Sequence, residues 1–215
     1  MGKISLTIDN GPDPQVTPAV LDVLAAKTVT ASFFLIGERA AAPGGLELAA
    51  RIVREGHRIG NHSWSHRRQF GEAPSVATVA EEVVRTADLL APWTEDPRFF
   101  RPPGGGGCLN ERLLSGALID HLCTAGYTCA LWNVVPRDWE DLHGWVNVAL
   151  AQVAARDWSV VVVHDTLAGN AEQIAAFIDR ARDAGHQFTA DISPECLPIV
   201  AGSIRQDLSA LTAGG

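Results

Sequence analysis

Two histidines four residues apart, His62 and His66, are the side chains in this chain best suited to bind a metal ion. At this spacing both imidazoles can reach one cation, and imidazole is a preferred ligand of zinc and similar ions. The spacing alone is weak support, because most such pairs bind no metal. It predicts a metal site only if other polar groups collect around it.

Four further polar side chains fall at or just after the ends of strand-like segments: Asp9, Arg101, Asp138 and His164. Each alone has an ordinary explanation, such as a turn or a satisfied core residue. Burying such groups unpaired costs about 1–3 kcal/mol each, so their joint occurrence indicates a function. They offer a carboxylate base, an orienting arginine and a histidine–carboxylate pair for general acid catalysis, and the glycines at 104–107 can expose an amide to an oxyanion. With the histidine pair, this set predicts metal-assisted hydrolysis of an acyl bond.

Strand-like and helix-like segments alternate along the chain. The predicted strands are Lys3–Asp9, Ala31–Gly37, His57–His62, Phe99–Pro102, Tyr127–Val135, Trp158–Asp165 and His186–Ile192. The predicted helices are Thr17–Lys27, Leu46–Glu55, Val76–Leu90, Asn110–Ala125, Gly144–Ala155 and Ala171–Ala184. Such alternation is typical of a parallel sheet, either closed into a barrel or open and doubly wound. In both folds the carboxyl ends of the strands lie on one side, so polar residues there should face one cleft.

The length of 215 residues predicts one domain, residues 1–215, with a tail at 193–215. Within this tail, Ile204–Leu211 has the spacing of a short amphipathic helix.

The formal charge of -8 argues against a nucleic-acid or anionic-membrane surface, since either needs clustered positive charge. No apolar run approaches the about 18 residues of a membrane span, and no signal-like stretch precedes Asp9, so we expect a cytoplasmic protein. Nothing in the composition predicts an oligomeric state.

Five motifs resemble, in order, those of the polysaccharide deacetylases, the NodB-homology group of carbohydrate esterase family 4. They are TIDNGP at 7–12, HSWSH at 62–66, RPP at 101–103, DW at 138–139 and VVVVHD at 160–165. The resemblance runs from Leu6 to about Asp191, nearly the whole chain. No single motif is decisive, but five in the family's order are a specific signal.

The resemblance implies an α/β fold, a distorted (β/α) barrel with about seven parallel strands. It also implies a hydrolase that acts on carbon–nitrogen bonds other than peptide bonds. Asp9 would match the family's general base, held in place by Arg101. His164 would match the general acid that protonates the leaving amine, with Asp138 oriented against it.

The resemblance further implies that His62, His66 and Asn10 bind a divalent metal ion, zinc or cobalt. The positions that would contact the substrate are Gly104, Trp139 and Val162. The backbone amide of Gly104 would help to stabilise the oxyanion, and the other two would line the pocket for the acetyl methyl group.

Asn10 is the main departure from the family, which usually carries an aspartate there as the third metal ligand. An amide oxygen is a neutral and weaker donor, so we expect a site one charge unit more positive and a lower metal affinity. Two smaller departures are Gly104, where many relatives carry tyrosine, and Val135, where an aspartate is common.

The implied substrate is an N-acetylated amino-sugar glycan or oligosaccharide, and for a cytoplasmic enzyme a soluble sugar or another small N-acyl compound. Trp64 and Trp139 lie beside motif residues, where they could stack on sugar rings. Two alternatives stay open. One is a hydrolase of another amide bond in a small non-sugar molecule. The other is a non-catalytic relative that binds glycan, which Asn10 favours and the retained acid–base residues oppose.

Overall fold

The chain folds into a curled, mostly parallel sheet surrounded by helices, as seen in a computed structural model that describes residues 1–212. The strands are β1 (Lys3–Asp9), β2 (Ser32–Leu35), β3 (Arg58–Asn61), β4 (Phe99–Phe100), β5 (Thr128–Cys129), β6 (Trp158–His164), β7 (Gln187–Phe188), β8 (Ile199–Val200) and β9 (Ser203–Ile204). The first seven lie within the seven predicted segments. The predicted distorted (β/α) barrel is therefore confirmed.

The sheet runs in the order β6-β1-β2-β3-β4-β5, with every neighbouring pair parallel. β1 is the central strand: it pairs with β6 along its whole length, with β2 at its carboxyl end and with β7 at its start. The barrel closes where the segment that follows β5 meets β6, through a bridge from Val134 to Val161. The side-chain amide of Asn133 strengthens this closure by bonding to the backbone of Val160 and Trp158.

Helices cover the outside of the sheet. They are α1 (Thr17–Lys27), α2 (Gly37–Ala40), α3 (Gly45–Arg54), α4 (Val76–Val79), α5 (Arg85–Leu90), α6 (Gly116–Thr124), α7 (Trp145–Ala154) and α8 (Asn170–Asp183). Residues 80–84, between α4 and α5, wind as a π-helix, so residues 76–90 form one helical run. This run begins at Ser75, whose hydroxyl accepts a hydrogen bond from the backbone of Thr78 at 3.0 Å.

The two faces of the sheet bury two separate cores, and the alternation along each strand decides which side chains enter which core. In β1, Ile4, Leu6 and Ile8 pack outward against the helices. Thr7 and Asp9 are also buried but face the barrel interior. The interior core includes side chains from several strands: Phe34, Phe100, Val160 and Val162. The last interior-facing position of β1 is therefore Asp9, which brings its carboxylate to the carboxyl end of the barrel.

The tail contains a hairpin, so the helix predicted at 204–211 is wrong. β8 pairs antiparallel with β5, and β9 returns beside β8. The turn consists of Ala201 and Gly202, both at positive φ, as required for a tight two-residue connection between twisted strands. Only a single 3-10 turn, residues 209–211, remains of the predicted helix.

Among the helices, two differences from the prediction go beyond a shift of one residue at an end. The helix predicted from residue 110 begins at Gly116, where the side chain of Ser115 caps it by accepting from the amide of Leu118. The short α2, just after β2, was not predicted because four residues carry too little periodicity to detect. No helix among residues 1–212 is both long and apolar enough to cross a lipid bilayer.

Candidate active site

Asp9 and Arg101 form a buried ion pair at the carboxyl end of the barrel. Arg101 is fully buried, and its Nη1 donates to Asp9 Oδ1 at 2.8 Å and to Thr7 Oγ1 at 2.7 Å. Its remaining nitrogens donate to the backbone oxygens of Ala130 and Leu131, so the guanidinium is held on all sides. Asp9 Oδ2 has no donor from Arg101. This oxygen faces His62 Nε2 at 3.6 Å.

His62 and His66 lie together after β3, with ring centroids 4.7 Å apart. His62 Nδ1 lies 2.8 Å from the backbone oxygen of Arg101 and must donate to it, since a carbonyl only accepts. In the neutral ring, Nε2 therefore carries a lone pair. Burial lowers the pKa of His62 well below its ordinary value, and burial lowers that of His66 to about 4. Both rings are thus held neutral, which is the form that binds metal.

Asp138 and His164 form a second buried pair. His164 ends β6, and its Nδ1 donates to Asp138 Oδ1 at 2.8 Å, while its backbone amide donates to Asp138 Oδ2 at 2.8 Å. Asn170, fully buried at the start of α8, adds a third hydrogen bond to this carboxylate at 2.8 Å. Trp145 Nε1 in turn donates to Asn170 Oδ1 at 2.9 Å and fixes the orientation of the amide.

Both pairs border one cavity of about 190 Å³. All the predicted site residues except the buried Arg101 and Asp138 line it: Asp9, Asn10, His62, His66, Gly104, Trp139, Val162 and His164. Arg101 and Asp138 lie directly behind Asp9 and His164. The predicted set therefore comes together in space, from segments as far apart in sequence as residues 9 and 164.

The family model described as polysaccharide deacetylase matches residues 2–118. The chain belongs to the polysaccharide deacetylase family. It is 30% identical over 192 residues to a peptidoglycan-N-acetylglucosamine deacetylase of Bacillus cereus, covering 86% of this chain and 84% of that protein. It is 32% identical to the peptidoglycan-N-acetylmuramic acid deacetylase PdaC of Bacillus subtilis, again over 86% of this chain but only 37% of that longer protein.

The structure is also similar to that of a family 4 acetyl xylan esterase from Clostridium thermocellum, solved in complex with a cobalt ion. The TM-score is 0.70 at 25% identity, with 87% of each chain covered. These matches confirm the enzyme class that the motifs imply, a hydrolase of the polysaccharide deacetylase type.

Asn10 is the position at which the resemblance implies a ligand carboxylate. Within residues 1–212, no three His, Cys, Asp or Glu side chains are arranged to hold a metal ion. Asn10 Oδ1 is nevertheless buried without a hydrogen-bond partner among these residues. A buried amide oxygen left unpaired costs free energy unless a ligand uses it. With the Nε2 lone pair of His62 and the neutral ring of His66, this oxygen fits a divalent cation as a neutral donor set.

Trp132 lines the cavity but was not predicted as a site residue. Its position explains why residue 104 has no side chain. A Cβ on Gly104 would lie 2.7 Å from Cζ2 of Trp132, so the indole occupies the space beside this glycine. Trp132 Nε1 donates to the backbone oxygen of Gly107 at 2.8 Å, which ties the ring to the glycine loop. The aromatic wall of the cavity thus comes from the segment after β5 instead of from position 104. Val135 also lines the cavity, as an apolar group.

The two acid–base candidates have pKa values shifted in directions that suit their chemistry. Burial raises the pKa of Asp9 above its ordinary value, against the opposing charges of Arg101 and His164. Burial lowers the pKa of His164, but the hydrogen bond and charge of Asp138, together with the charges of Asp9 and Asp165, raise it by more, so the net shift is upward. A carboxylate made more basic and an imidazole kept protonated match a general base and a general acid.

Proposed function

We propose that this protein is a metal-dependent hydrolase that removes N-acetyl groups from an amino-sugar glycan or oligosaccharide. The observation that supports this most directly is the single cavity bordered by Asp9, the two histidines and His164. Amide hydrolysis needs an activated water, a stabilised oxyanion and a proton for the departing amine. The residues that line this cavity include a candidate for each need, which supports the proposal.

Asp9 is the proposed general base. Arg101 occupies Oδ1, so Oδ2 is the oxygen left to accept a proton from water. The neutral His62 does not donate to Oδ2, because its only ring proton goes to the backbone oxygen of Arg101. Burial raises the pKa of Asp9 and so strengthens it as a base.

His164 is the proposed general acid. Its Nδ1 proton is held by Asp138, so the second ring nitrogen is left to serve the cavity. The raised pKa favours a proton on that nitrogen, and this proton can pass to the amine as the C–N bond breaks. Asp138 orients the ring and stabilises its positive charge, as the carboxylate of a hydrolytic triad does.

His62, His66 and Asn10 are the residues proposed to hold the metal. A divalent cation bound there would supply a Lewis acid that polarises the acyl carbonyl. Zinc or cobalt fits the two imidazoles, and the cobalt complex of the related esterase supports a divalent ion. The neutral oxygen of Asn10 in place of a carboxylate makes weak binding the expected state.

The rest of the cavity suits a small acyl group. The side chains of Trp139 and Val162 offer apolar surface for the acetyl methyl, and Gly104 lines the same cavity with Trp132 packed beside it. Trp139 is 39% exposed and packs edge-on against His164 with centroids 5.2 Å apart, so it lies between the acid and the solvent where a sugar ring would rest.

The names of the relatives support an N-acetylated amino sugar as the substrate, since both curated relatives are named for deacetylation of peptidoglycan sugars. A small non-sugar N-acyl compound would use the same catalytic residues. A binding protein without catalysis is the second candidate function, because Asn10 weakens the metal site. The intact pairs of Asp9 with Arg101 and of His164 with Asp138 argue for catalysis.

Acetate release from N-acetylglucosamine oligomers tests the proposal, with metal-free protein and with added zinc or cobalt. We expect release that depends on metal and is lost in His62→Ala. Release from N-acylated amino acids but not from the oligomers would favour the non-sugar substrate. Glycan binding that survives Asp9→Ala and His164→Ala, with no turnover under any metal, would identify a binding protein.

A further inference from the structure

The loop that carries the two histidines has an unfavourable backbone conformation. Ser63 and His66 both have positive φ, 65° and 54°, although neither is glycine. Residues with a Cβ rarely adopt this region, and a conformation of this kind persists only where surrounding contacts enforce it. The position of the metal-binding histidines therefore depends on what holds this loop.

Glu82 makes three hydrogen bonds to the middle of this loop. Its Oε2 accepts from the backbone amides of Trp64 and Ser65 at 2.9 and 2.8 Å, and its Oε1 accepts from Ser65 Oγ at 2.7 Å. Two successive amides that point at one carboxylate form a small anion-binding concavity. Hydrogen bonds to a charged carboxylate are among the strongest that a side chain makes with a loop.

The π-helix that contains Glu82 holds the loop at a second point. The backbone oxygen of Val83 accepts from Asn61 Nδ2 at 2.9 Å, and Asn61 Oδ1 accepts from the amide of Ser63 at 2.9 Å. π-helical turns inside longer helices are rare and frequently occur at functional sites. Here the widened turn directs a side chain and a carbonyl of consecutive residues toward the same loop.

The ring of Trp64 is half-buried and packs against two neighbouring elements. The guanidinium of Arg85, also on the helical run 76–90, lies 3.5 Å from the ring centroid. A Cβ on Gly37 would lie 2.6 Å from Trp64 Cε3, so the backbone of α2 closes over this edge of the ring. Trp64 thus anchors the loop, and it does not line the cavity that contains Trp139.

We infer that Glu82 is a positioning residue of the metal site, which fixes the loop at residues 62–66 so that both imidazoles face one point. This inference rests on the proposed function. All three side-chain hydrogen bonds of Glu82 go to the loop between the two histidines and none goes to either ring, so these bonds act on the metal site through the geometry of the loop. Without it, two backbone amides and a hydroxyl lose their acceptor, and Ser63 and His66 can relax from positive φ. Outer groups that orient metal ligands typically change metal affinity by about 10–100-fold when removed.

The test is a cobalt titration of metal-free protein, followed by the visible absorption of the bound ion and by the apparent Kd. The variants are Glu82→Ala and Glu82→Gln, with Glu81→Ala as the matched control, because Glu81 is an exposed glutamate on the same π-helix. We expect Glu82→Ala to bind cobalt about tenfold or more weakly with an altered absorption band, and Glu81→Ala to match the wild type. Glu82→Gln should fall between them, since its amide oxygen can still accept from both loop amides.

Cobalt affinity and absorption unchanged in Glu82→Ala would overturn the inference, as would an equal loss in Glu81→Ala. If Glu82→Ala does not fold, Glu82→Asp decides, because its shorter side chain cannot reach the loop amides in the same way, and an affinity equal to the wild type rejects the positioning role. The thermal unfolding midpoint of the metal-free proteins separates a general loss of stability from a loss confined to metal binding.

The variant His62→Ala distinguishes failure of the proposed metal site from failure of the positioning role of Glu82. Cobalt binding that is equal in wild type and His62→Ala rejects the metal site itself and the role of Glu82 with it. Binding lost in His62→Ala but kept in Glu82→Ala rejects only the role of Glu82.

Discussion

The acid–base half of the site is held by buried charges, whereas the metal-binding half is held through loops. Asp9 and His164 end two adjacent strands, and each bonds to a buried, oppositely charged or polarising partner at 2.8 Å. His62 and His66 flank an irregular loop, and Asn10 itself lies at positive φ with an unpaired side-chain oxygen. Strand ends fix a side chain through the register of the whole sheet, but a loop depends on a few local contacts.

This difference shows where the protein departs from its family and what the departure affects. The proposed base and acid, Asp9 and His164, both have their charged partners, whereas Asn10, the departure from the family pattern, lies in the proposed metal-binding half. We therefore expect catalysis to be limited by metal occupancy and not by a defective acid or base. Changes in the two halves should consequently have separable effects on turnover and on metal affinity.

The largest effect is expected from Arg101→Ala, on the free energy of unfolding. Asp9 would remain buried with its charge unpaired, which costs about 3–5 kcal/mol of unfolding free energy. Urea unfolding of the metal-free protein measures this loss. Arg67→Ala is the control, because Arg67 pairs with Glu38 on the surface and such pairs contribute about 1 kcal/mol or less. Equal losses in the two variants would show that the buried pair does not hold the acid–base half.

His164→Ala should abolish general acid catalysis while leaving the metal site intact. Removal of a general acid typically lowers turnover by about 10²–10⁴-fold. The measurement is turnover at saturating metal, together with the cobalt Kd of the same preparation. A parallel loss of cobalt affinity would contradict the separation of the two halves.

The pH dependence of turnover should follow the protonation of His164. The acid works only while protonated, so activity is expected to fall as pH rises through its raised pKa. Because Asp138 raises that pKa, Asp138→Asn should move the alkaline limb of the profile to lower pH. A limb that stays in place in this variant would mean that another group donates the proton.

The smallest effect is expected from Asn10→Asp, and it is a gain in metal affinity, whereas the preceding variants are expected to lose stability or activity. A carboxylate in place of the amide adds a negative charge to the donor set, which should tighten metal binding on the order of tenfold. A zinc or cobalt titration of wild type and variant measures the change, with Asn10→Ala as the control that should weaken binding. Unchanged affinity in Asn10→Asp would remove Asn10 from the ligand set.

The sequence was sufficient to locate Asp9 and His164, because each follows a run of buried strand residues whose alternation is visible in the chain. It could not reveal Glu82 or Asn170. Both lie on helices and reach the site through hydrogen bonds to residues 17 to 32 positions away, a spacing that no local pattern encodes. Helical periodicity predicts which face of a helix is buried but not which polar side chain crosses to a loop.

Asp165 shows that even adjacency in the sequence does not identify the hydrogen-bond partner of a side chain. It follows His164 directly, yet its Oδ2 accepts from Thr17 Oγ1 at 2.6 Å, away from the catalytic ring. The partner of His164 is Asp138, which lies 26 residues away. Neighbours in sequence at a strand end point to opposite faces, so the nearer carboxylate was geometrically the less suitable one.

The hairpin formed by β8 and β9 also affects how this protein behaves in solution. β8 occupies the side of β5 that the barrel does not close, through pairing of Cys129 with Ile199. An uncovered strand edge is a template for pairing with other chains and for aggregation. β9, now outermost, has only two residues and is followed by the polar Arg205 and Gln206, so it offers little to pair with. Protein truncated before Ser193 would expose the edge of β5 and should self-associate. The tail therefore helps to keep the protein from aggregating.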